Sequence, residues 1–228
     1  MSLRLDWCSH EAAKYAVEHW HYSKRMPMPP LAKIGVWENE FIGCVLFARG
    51  NTATLGKPYG LTQYETCELV RVALRKHKTA VSRIVSIAIK MIRKQYRGLR
   101  LIVSFADPSM GHNGAIYQAM NWIYCGMSDP DKMYFYQGRW QHSREIRGGA
   151  FGGTRKLKDY SSLSTKEAPR KFRYLYPLDD LMRKQIEPLR KPYPKRVSGE
   201  IDSAAEPNPQ TGGASPTETL LVSDASEK

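Results

Sequence analysis

The sequence predicts an α/β fold with a central mixed sheet flanked by helices, followed by a basic C-terminal extension. Two observations predict this class. Short apolar strands alternate with amphipathic helices along the chain, which is typical of α/β proteins. One long helix also lies between two apolar strands, and such a crossover joins parallel strands of one sheet. The chain has 228 residues, of which 42% are hydrophobic, and this is enough for one buried core.

The first elements follow from caps, turns and alternation. Ser9 can cap a helix over residues 10–20. Residues 33–50 are typical of a hairpin, with two apolar strands on either side of a turn around Asn39. The segment 66–74 is a strand in which Glu68 and Arg71 interrupt the apolar run. Alternation along the strand places these two charges on opposite faces.

The later elements complete the alternation. Residues 80–96 form the strongest helix pattern, with apolar residues on one face and bases on the other. The strand over 99–106 is apolar on both faces, so we expect it to be buried. A second helix is predicted over 111–124 and a last, aromatic strand over 132–140.

Charge divides the chain into three parts. The chain contains 35 Lys and Arg residues against 22 Asp and Glu residues, which gives a net charge of +13. We expect a folded core over residues 1–145, a basic aromatic extension over 146–198 and a disordered acidic tail over 199–228. The tail either competes with a polyanionic partner for the basic surface or serves solubility alone.

Several protein classes are excluded. No apolar run approaches the roughly 20 residues that a membrane-spanning helix needs. The first residues lack the apolar stretch of a secretory signal. The four cysteines are widely separated, so we expect reduced thiols in a cytoplasmic protein.

The basic clusters favour nucleic acid as a partner. Lys and Arg neutralise phosphates, and the aromatic residues between them offer planes on which bases stack. A solvated surface or a ribosome-like extension is the alternative. We expect double-stranded DNA to contact these bases: Arg144, Arg147, Arg155, Lys156, Lys158, Arg170, Lys171 and Arg173.

The order of elements resembles the GCN5-related N-acetyltransferase fold. The resemblance makes residues 1–145 an acetyltransferase-like catalytic core and implies that the start of the long helix binds the pyrophosphate of coenzyme A. That family has a glycine-rich turn at this point, whereas residues 75–83 contain no glycine. The sequence therefore weakens the case for coenzyme A and leaves room for another anionic ligand.

Longer motifs resemble one family, the Mom DNA-modification proteins of Mu-like bacteriophages. The similar strings lie between residues 19 and 195 and are HYSKRMP, YGLTQYETCELVRVAL, VSRIV, GLRLIVSFADP, GHNGAIYQAMNWIYCG and RYLYPLD. The resemblance implies an enzyme that converts adenine in phage DNA to N6-carbamoylmethyladenine, which shields the DNA from host restriction enzymes. It implies catalytic roles for Tyr22, Arg71, Ser82, Asp107 and Tyr117, and donor binding by Arg71, Ser82 and Arg83.

The residues themselves leave alternatives open. Asp107 ends a buried strand, where ligands gather in α/β sheets, but it can equally cap a turn. Tyr117 either faces the cleft or packs in the core. Arg71 is a charge within a strand, so it is either paired or exposed to a cleft. Ser82 can bind an anion or only cap its helix.

A metal site is a further hypothesis. His21 and Asp107, with His19 and His112 nearby in the predicted fold, would provide two imidazoles and a carboxylate for iron. The spacing of His19 and His21 alone is a weak signal for a metal.

The implied chemistry is demanding. Adenine N6 is a weak nucleophile inside a stacked duplex, so we expect the base to be flipped into a pocket. Attack on an acetyl thioester gives an amide, whereas this product needs a bond to a methylene carbon. The donor is therefore either acetyl-coenzyme A activated at carbon or a glycine-derived molecule. Candidates for stacking the base are Tyr22, Trp37, Trp122, Tyr124, Tyr134, Phe135 and Tyr136. Packing in the core is the alternative for most of them.

Two other functions stay open on the residues alone. One is a coenzyme A-dependent N-acetyltransferase that acts on a protein or RNA. The other is a non-enzymatic DNA-binding protein, which would have no need for polar residues at strand ends.

Overall fold

A computed structural model describes residues 2–27, 30–50, 54–142, 146 and 161–195. Seven strands form the main sheet in the order β1-β2-β3-β4-β5-β10-β6, and three form a small sheet in the order β8-β7-β9. The strands are β1 Leu3–Trp7, β2 Ala32–Glu38, β3 Glu40–Ala48, β4 Thr66–Leu74, β5 Leu101–Ala106, β6 Ile123–Met127, β7 Lys132–Tyr136, β8 Arg139–His142, β9 Thr165–Glu167 and β10 Phe172–Pro177. The helices are α1 His10–Trp20, α2 Val81–Gln95, α3 Ala115–Ala119 and α4 Asp180–Ile186.

The predicted α/β class and mixed sheet are confirmed. β4 and β5 run parallel and are joined by α2. The other pairs of the main sheet are antiparallel. α2 buries Ile84, Val85, Ala88, Ile89 and Ile92, as its apolar periodicity predicted.

Helices cover both faces of the main sheet. α1 packs against Cys44 and Leu46 of β3, while Val45 and Phe47 belong to the core that includes α2. The predicted cap of α1 is confirmed, since the Ser9 hydroxyl oxygen accepts from the main-chain N–H of Ala12 at 3.1 Å. Among the described residues, no helix is long and apolar enough to span a membrane.

The boundary predicted at residue 145 is wrong. β10 lies inside the sheet between β5 and β6 and is antiparallel to both. Tyr174 and Leu175 are fully buried because helices or loops cover both faces of the sheet at this point. Residues 172–177 are therefore part of the core. The predicted tail over 199–228 lies outside the described residues.

Two further elements differ from their predictions. The helix predicted over 111–124 spans only Ala115–Ala119, and Ile123 already begins β6. The strand predicted over 132–140 is a hairpin, because Gln137 and Gly138 both take positive φ in a two-residue turn. β1 was not predicted at all; it pairs with β2 at the edge of the sheet.

Candidate active site

The candidate site is a cleft that opens where β4 and β5 separate. The two strands pair in parallel only at Thr66, Cys67 and Glu68 of β4. Beyond these residues the strands diverge, and a cavity of about 1060 Å³ lies between them. Four of the five residues predicted as catalytic line this cavity: Tyr22, Arg71, Asp107 and Tyr117.

A β-bulge brings Glu68 and Arg71 to this one cleft. Two neighbouring residues of β3 pair with Leu69 and Arg71, so Val70 is an extra residue in β4. In a regular strand the two charges would lie on opposite faces, as was predicted. The bulge cancels one step of the alternation, and both side chains line the cavity.

Arg71 is held in the cleft by main-chain oxygens. Its Nη1 donates to the carbonyl of Val70 at 2.7 Å, and its Nε donates to the carbonyl of Arg25 at 3.4 Å. Burial lowers the pKa of the guanidinium from its ordinary value, while Tyr22 and Glu68 act in the opposite direction. Arginine nevertheless stays charged at neutral pH, so Arg71 brings a positive charge to the cleft.

Asp107 follows β5, where it caps a turn and also lines the cleft. Its Oδ1 accepts from the main-chain N–H of Ser109 at 3.1 Å and from the Ser109 hydroxyl at 2.6 Å, which caps the short helix that begins at Pro108. Its Oδ2 lies 3.3 Å from Lys171 Nζ. The side chain is only 13% exposed, and it faces the cleft. Contacts at both oxygens therefore fix the orientation of the carboxylate.

Three of the predicted DNA-contacting bases lie beside this cleft. Lys171 pairs with Asp107, as described above. Arg173 pairs with Asp129 at 3.2 Å and has a side chain only 19% exposed. Arg170 is exposed, and its Nε donates to the carbonyl of Ser128 at 2.7 Å. The other five predicted DNA contacts, at residues 144, 147, 155, 156 and 158, lie outside the described residues.

The rings of His21, Tyr22 and His112 lie together in the lining of the cleft. The Tyr22 ring is 4.3 Å from the ring of His21 and 5.2 Å from that of His112, and Tyr22 is 45% exposed. Burial and the nearby Asp107 carboxylate raise the pKa of Tyr22. Tyr22 is thus a protonated, accessible ring beside the carboxylate.

His21 is buried in its neutral form. Its Nδ1 accepts from the main-chain N–H of Ser23 at 3.1 Å, so the proton of the neutral ring lies on Nε2. Burial, Arg71 and His112 lower the pKa of His21 to about 3.

The hypothesis of an iron site is not supported. The described residues contain no group of three or more His, Cys, Asp or Glu side chains that could hold a metal ion. His19 stacks on Tyr15 and contacts the Tyr15 carbonyl through Nδ1, so it does not join His21.

Tyr117 belongs to a hydrogen-bonded chain across the cleft floor. Ser104 Oγ lies 2.8 Å from the Leu69 carbonyl and 2.7 Å from the Tyr117 hydroxyl. Serine has one proton and a carbonyl can only accept, so Ser104 donates to Leu69 and Tyr117 donates to Ser104. Burial raises the pKa of Tyr117 to about 12. Ser104 was not predicted; its signal was a single hydroxyl within the apolar strand.

Some predicted residues do not reach the cleft. Ser82 and Arg83 are absent from its described lining, which includes Val81, the first residue of α2, and His77 before the helix. Trp122 and Tyr124 are core residues, 0% and 9% exposed, so they cannot stack on a base. Four other stacking candidates, Trp37, Tyr134, Phe135 and Tyr136, also lie outside the described lining.

Comparison with known proteins identifies the family. The Mom protein family matches residues 2–195 of this chain. The chain belongs to the Mom family. One relative, the methylcarbamoylase Mom of Escherichia phage Mu, is 27% identical over 203 residues, which cover 85% of this chain and 84% of that protein. The predicted resemblance to the Mom family is therefore confirmed.

The comparison with solved structures finds acetyltransferases of low sequence identity to this Mom family member. A Bacillus subtilis acetyltransferase in complex with CoA is 14% identical, with a TM-score of 0.40, and the match covers 78% of this chain and 100% of that protein. A GNAT family acetyltransferase from Elizabethkingia anophelis with acetyl-CoA bound is 11% identical, with a TM-score of 0.39, and the match covers 77% of this chain and 98% of that protein.

Proposed function

We propose that this chain is a DNA-modifying transferase that converts adenine in phage DNA to N6-carbamoylmethyladenine, and so protects that DNA from restriction in the host cytoplasm. Its membership of the Mom family and the methylcarbamoylase of phage Mu support the reaction class. The observation that carries the proposal is the meeting of Tyr22, Arg71, Asp107 and Tyr117 in one cleft. These residues come from four separate segments of the chain.

Asp107 is the residue that we assign to the adenine amine. In the proposed transfer N6 forms a bond to the methylene carbon of the donor, while the bond from that carbon to the donor's leaving group breaks and the leaving group takes the electron pair. N6 loses a proton in this step, so a fixed carboxylate beside N6 can accept an N–H hydrogen bond and then the proton. Lys171 and Ser109 hold the carboxylate in one orientation and keep it at the cleft surface. Positioning of this kind is a large part of enzymatic rate enhancement.

The other cleft residues have separate roles in this proposal. Tyr22 offers an exposed ring on which an extruded adenine can stack, next to His112. Arg71 can donate to the carbonyl oxygen of the carbamoylmethyl group. Tyr117 uses its proton on Ser104, which leaves its oxygen as an acceptor for the amide N–H of the same group.

Mass spectrometry of nucleosides tests the reaction. Plasmid DNA from bacteria that express the chain should contain a deoxyadenosine derivative heavier by one carbamoylmethyl group. Asp107→Asn should lower its yield at least about a hundredfold, which is the size of a general-base effect. Asp6→Asn removes an exposed carboxylate on the edge strand β1 and should change nothing.

The outcomes separate the alternatives. Unmodified adenine from a folded, soluble wild-type chain would contradict the proposal, and binding of DNA without any product would favour a non-enzymatic DNA-binding protein. Full yield from Asp107→Asn would remove this residue from the chemistry.

A further inference from the structure

The segment between β4 and α2 leads into a long helix. The first N–H groups of any helix lack partners within it, and here the N-cap residue, Ala80, has no side chain that could accept from them. Such a position attracts anions, because the N–H groups and the helix dipole both favour negative charge. The preceding residues Arg75, Lys76 and Lys78 add positive charge.

The chain provides its own anion directly before this helix. Glu38, the last residue of β2, extends its carboxylate to the segment: Oε2 accepts from the N–H of Lys78 at 3.0 Å, and Oε1 accepts from the N–H of Thr79 at 2.8 Å. These hydrogen bonds, with a further one from the Thr79 side chain, lower the pKa of Glu38 to about 2. The carboxylate is therefore ionised at every physiological pH.

The same hairpin turn holds the other end of the segment. Glu40, the first residue of β3, forms an ion pair with the guanidinium of Arg75. The N–H of Arg75 donates to the carbonyl of Ile42 at 2.9 Å. Residues 75–79 are thus bound to the β2–β3 hairpin at both ends, which gives their N–H groups a fixed direction.

These contacts do not fit coenzyme A. A diphosphate at the start of α2 would lie beside the Glu38 carboxylate, which already occupies the N–H groups of Lys78 and Thr79 and would repel a second anion. Residues 75–83 contain no glycine, so each carries a side chain that limits close approach to the main chain.

We propose that Glu38 closes the start of α2 to diphosphate-bearing carriers, and that the donor reaches the open cleft as a small molecule without such a carrier. The statement about the donor rests on the proposed function. Of the two donor classes expected from the sequence, the glycine-derived one fits, since it needs no anion site at this helix.

Isothermal titration calorimetry on the full-length chain tests the role of Glu38, with coenzyme A and inorganic pyrophosphate as separate ligands. Glu38→Ala frees the two N–H groups. Glu40→Ala is the matched control, because it removes the same charge from the same turn and leaves those N–H groups bonded. We expect no binding of coenzyme A by the wild type or Glu40→Ala. Pyrophosphate should bind to Glu38→Ala at least about tenfold more tightly than to either of these chains.

Two results would overturn the inference: micromolar binding of coenzyme A by the wild type, or a gain in Glu38→Ala no larger than in Glu40→Ala. If Glu38→Ala fails to fold, Glu38→Gln keeps the shape of the side chain without its charge and should show a smaller gain. Calorimetry is independent of DNA modification. If the wild type modifies adenine and also binds coenzyme A, this inference alone is refuted. If the calorimetry gives the expected results but the wild type does not modify adenine, only the proposed function is refuted.

Discussion

Mild acid should destabilise this fold through His21. The ring is 8% exposed, and Nδ1 accepts from the main-chain N–H of Ser23, so the folded chain holds the neutral form. Burial, with the positive charges of Arg71 and His112, lowers its pKa to about 3. In the unfolded chain the pKa of this side chain returns to about 6.5.

The sign and size of the effect follow from this difference. Below about pH 6.5 the unfolded chain binds a proton at His21 that the folded chain does not, so stability falls with pH until about pH 3. Each pH unit in this window removes about 1.4 kcal/mol. At pH 5 the loss is therefore about 2 kcal/mol, or roughly 4–8 °C in Tm for a chain of this size.

Urea unfolding of three chains at about pH 7.5 and pH 5 measures this loss. His21→Gln should lose less stability between the two pH values than the wild type, by about 2 kcal/mol, although it starts less stable. His10→Gln, which changes an exposed histidine at the start of α1, should behave as the wild type. An equal loss in His21→Gln and the wild type would refute a buried neutral ring.

Two further predictions concern the cleft floor and the basic surface. Ser104→Ala should lower the free energy of unfolding in urea by about 1–3 kcal/mol, because it leaves the buried Leu69 carbonyl without its donor. The losses from Ser104→Ala and Tyr117→Phe should not add in the double variant, and strict additivity would contradict the hydrogen bond between the two side chains. Arg170→Glu should weaken DNA binding in fluorescence anisotropy and reduce the salt slope by about one or more. Arg93→Glu on the exposed face of α2 should do neither, and equal losses in both variants would remove Arg170 from the DNA surface.

Local pattern was enough to predict the central unit of the fold. The strand Thr66–Leu74 was predicted to the residue, and α2 within one residue at each end, because the period of apolar residues is a property of a short segment. β10 could not be found this way. Its Tyr174 and Leu175 stand among bases, and only pairing with the distant strands β5 and β6 makes them core.

The candidate site was likewise predicted only in part from the sequence. Asp107 could be placed at the end of a strand from the sequence, and the family resemblance pointed to Tyr22 and Tyr117. The pairing of Asp107 with Lys171 depends on the position of β10 beside β5, which no local pattern reveals. The bulge that turns Arg71 into the cleft is equally invisible, since its extra residue, Val70, is an ordinary apolar residue.

The insertion of β10 also links the basic segment to the proposed chemistry. Arg170 and Lys171 are adjacent, yet Arg170 is exposed and anchored to the Ser128 carbonyl, whereas Lys171 reaches into the cleft to Asp107. Both residues immediately precede a strand that is buried between two neighbours, so neither can move far without the sheet. A phosphate bound at Arg170 would therefore lie on the same side of the cleft as Lys171, which pairs with the carboxylate that we assign to adenine N6. In this proposal the base expected to contact DNA and the residue assigned to the N6 proton lie at the ends of two adjacent strands, β10 and β5, which are paired in one sheet.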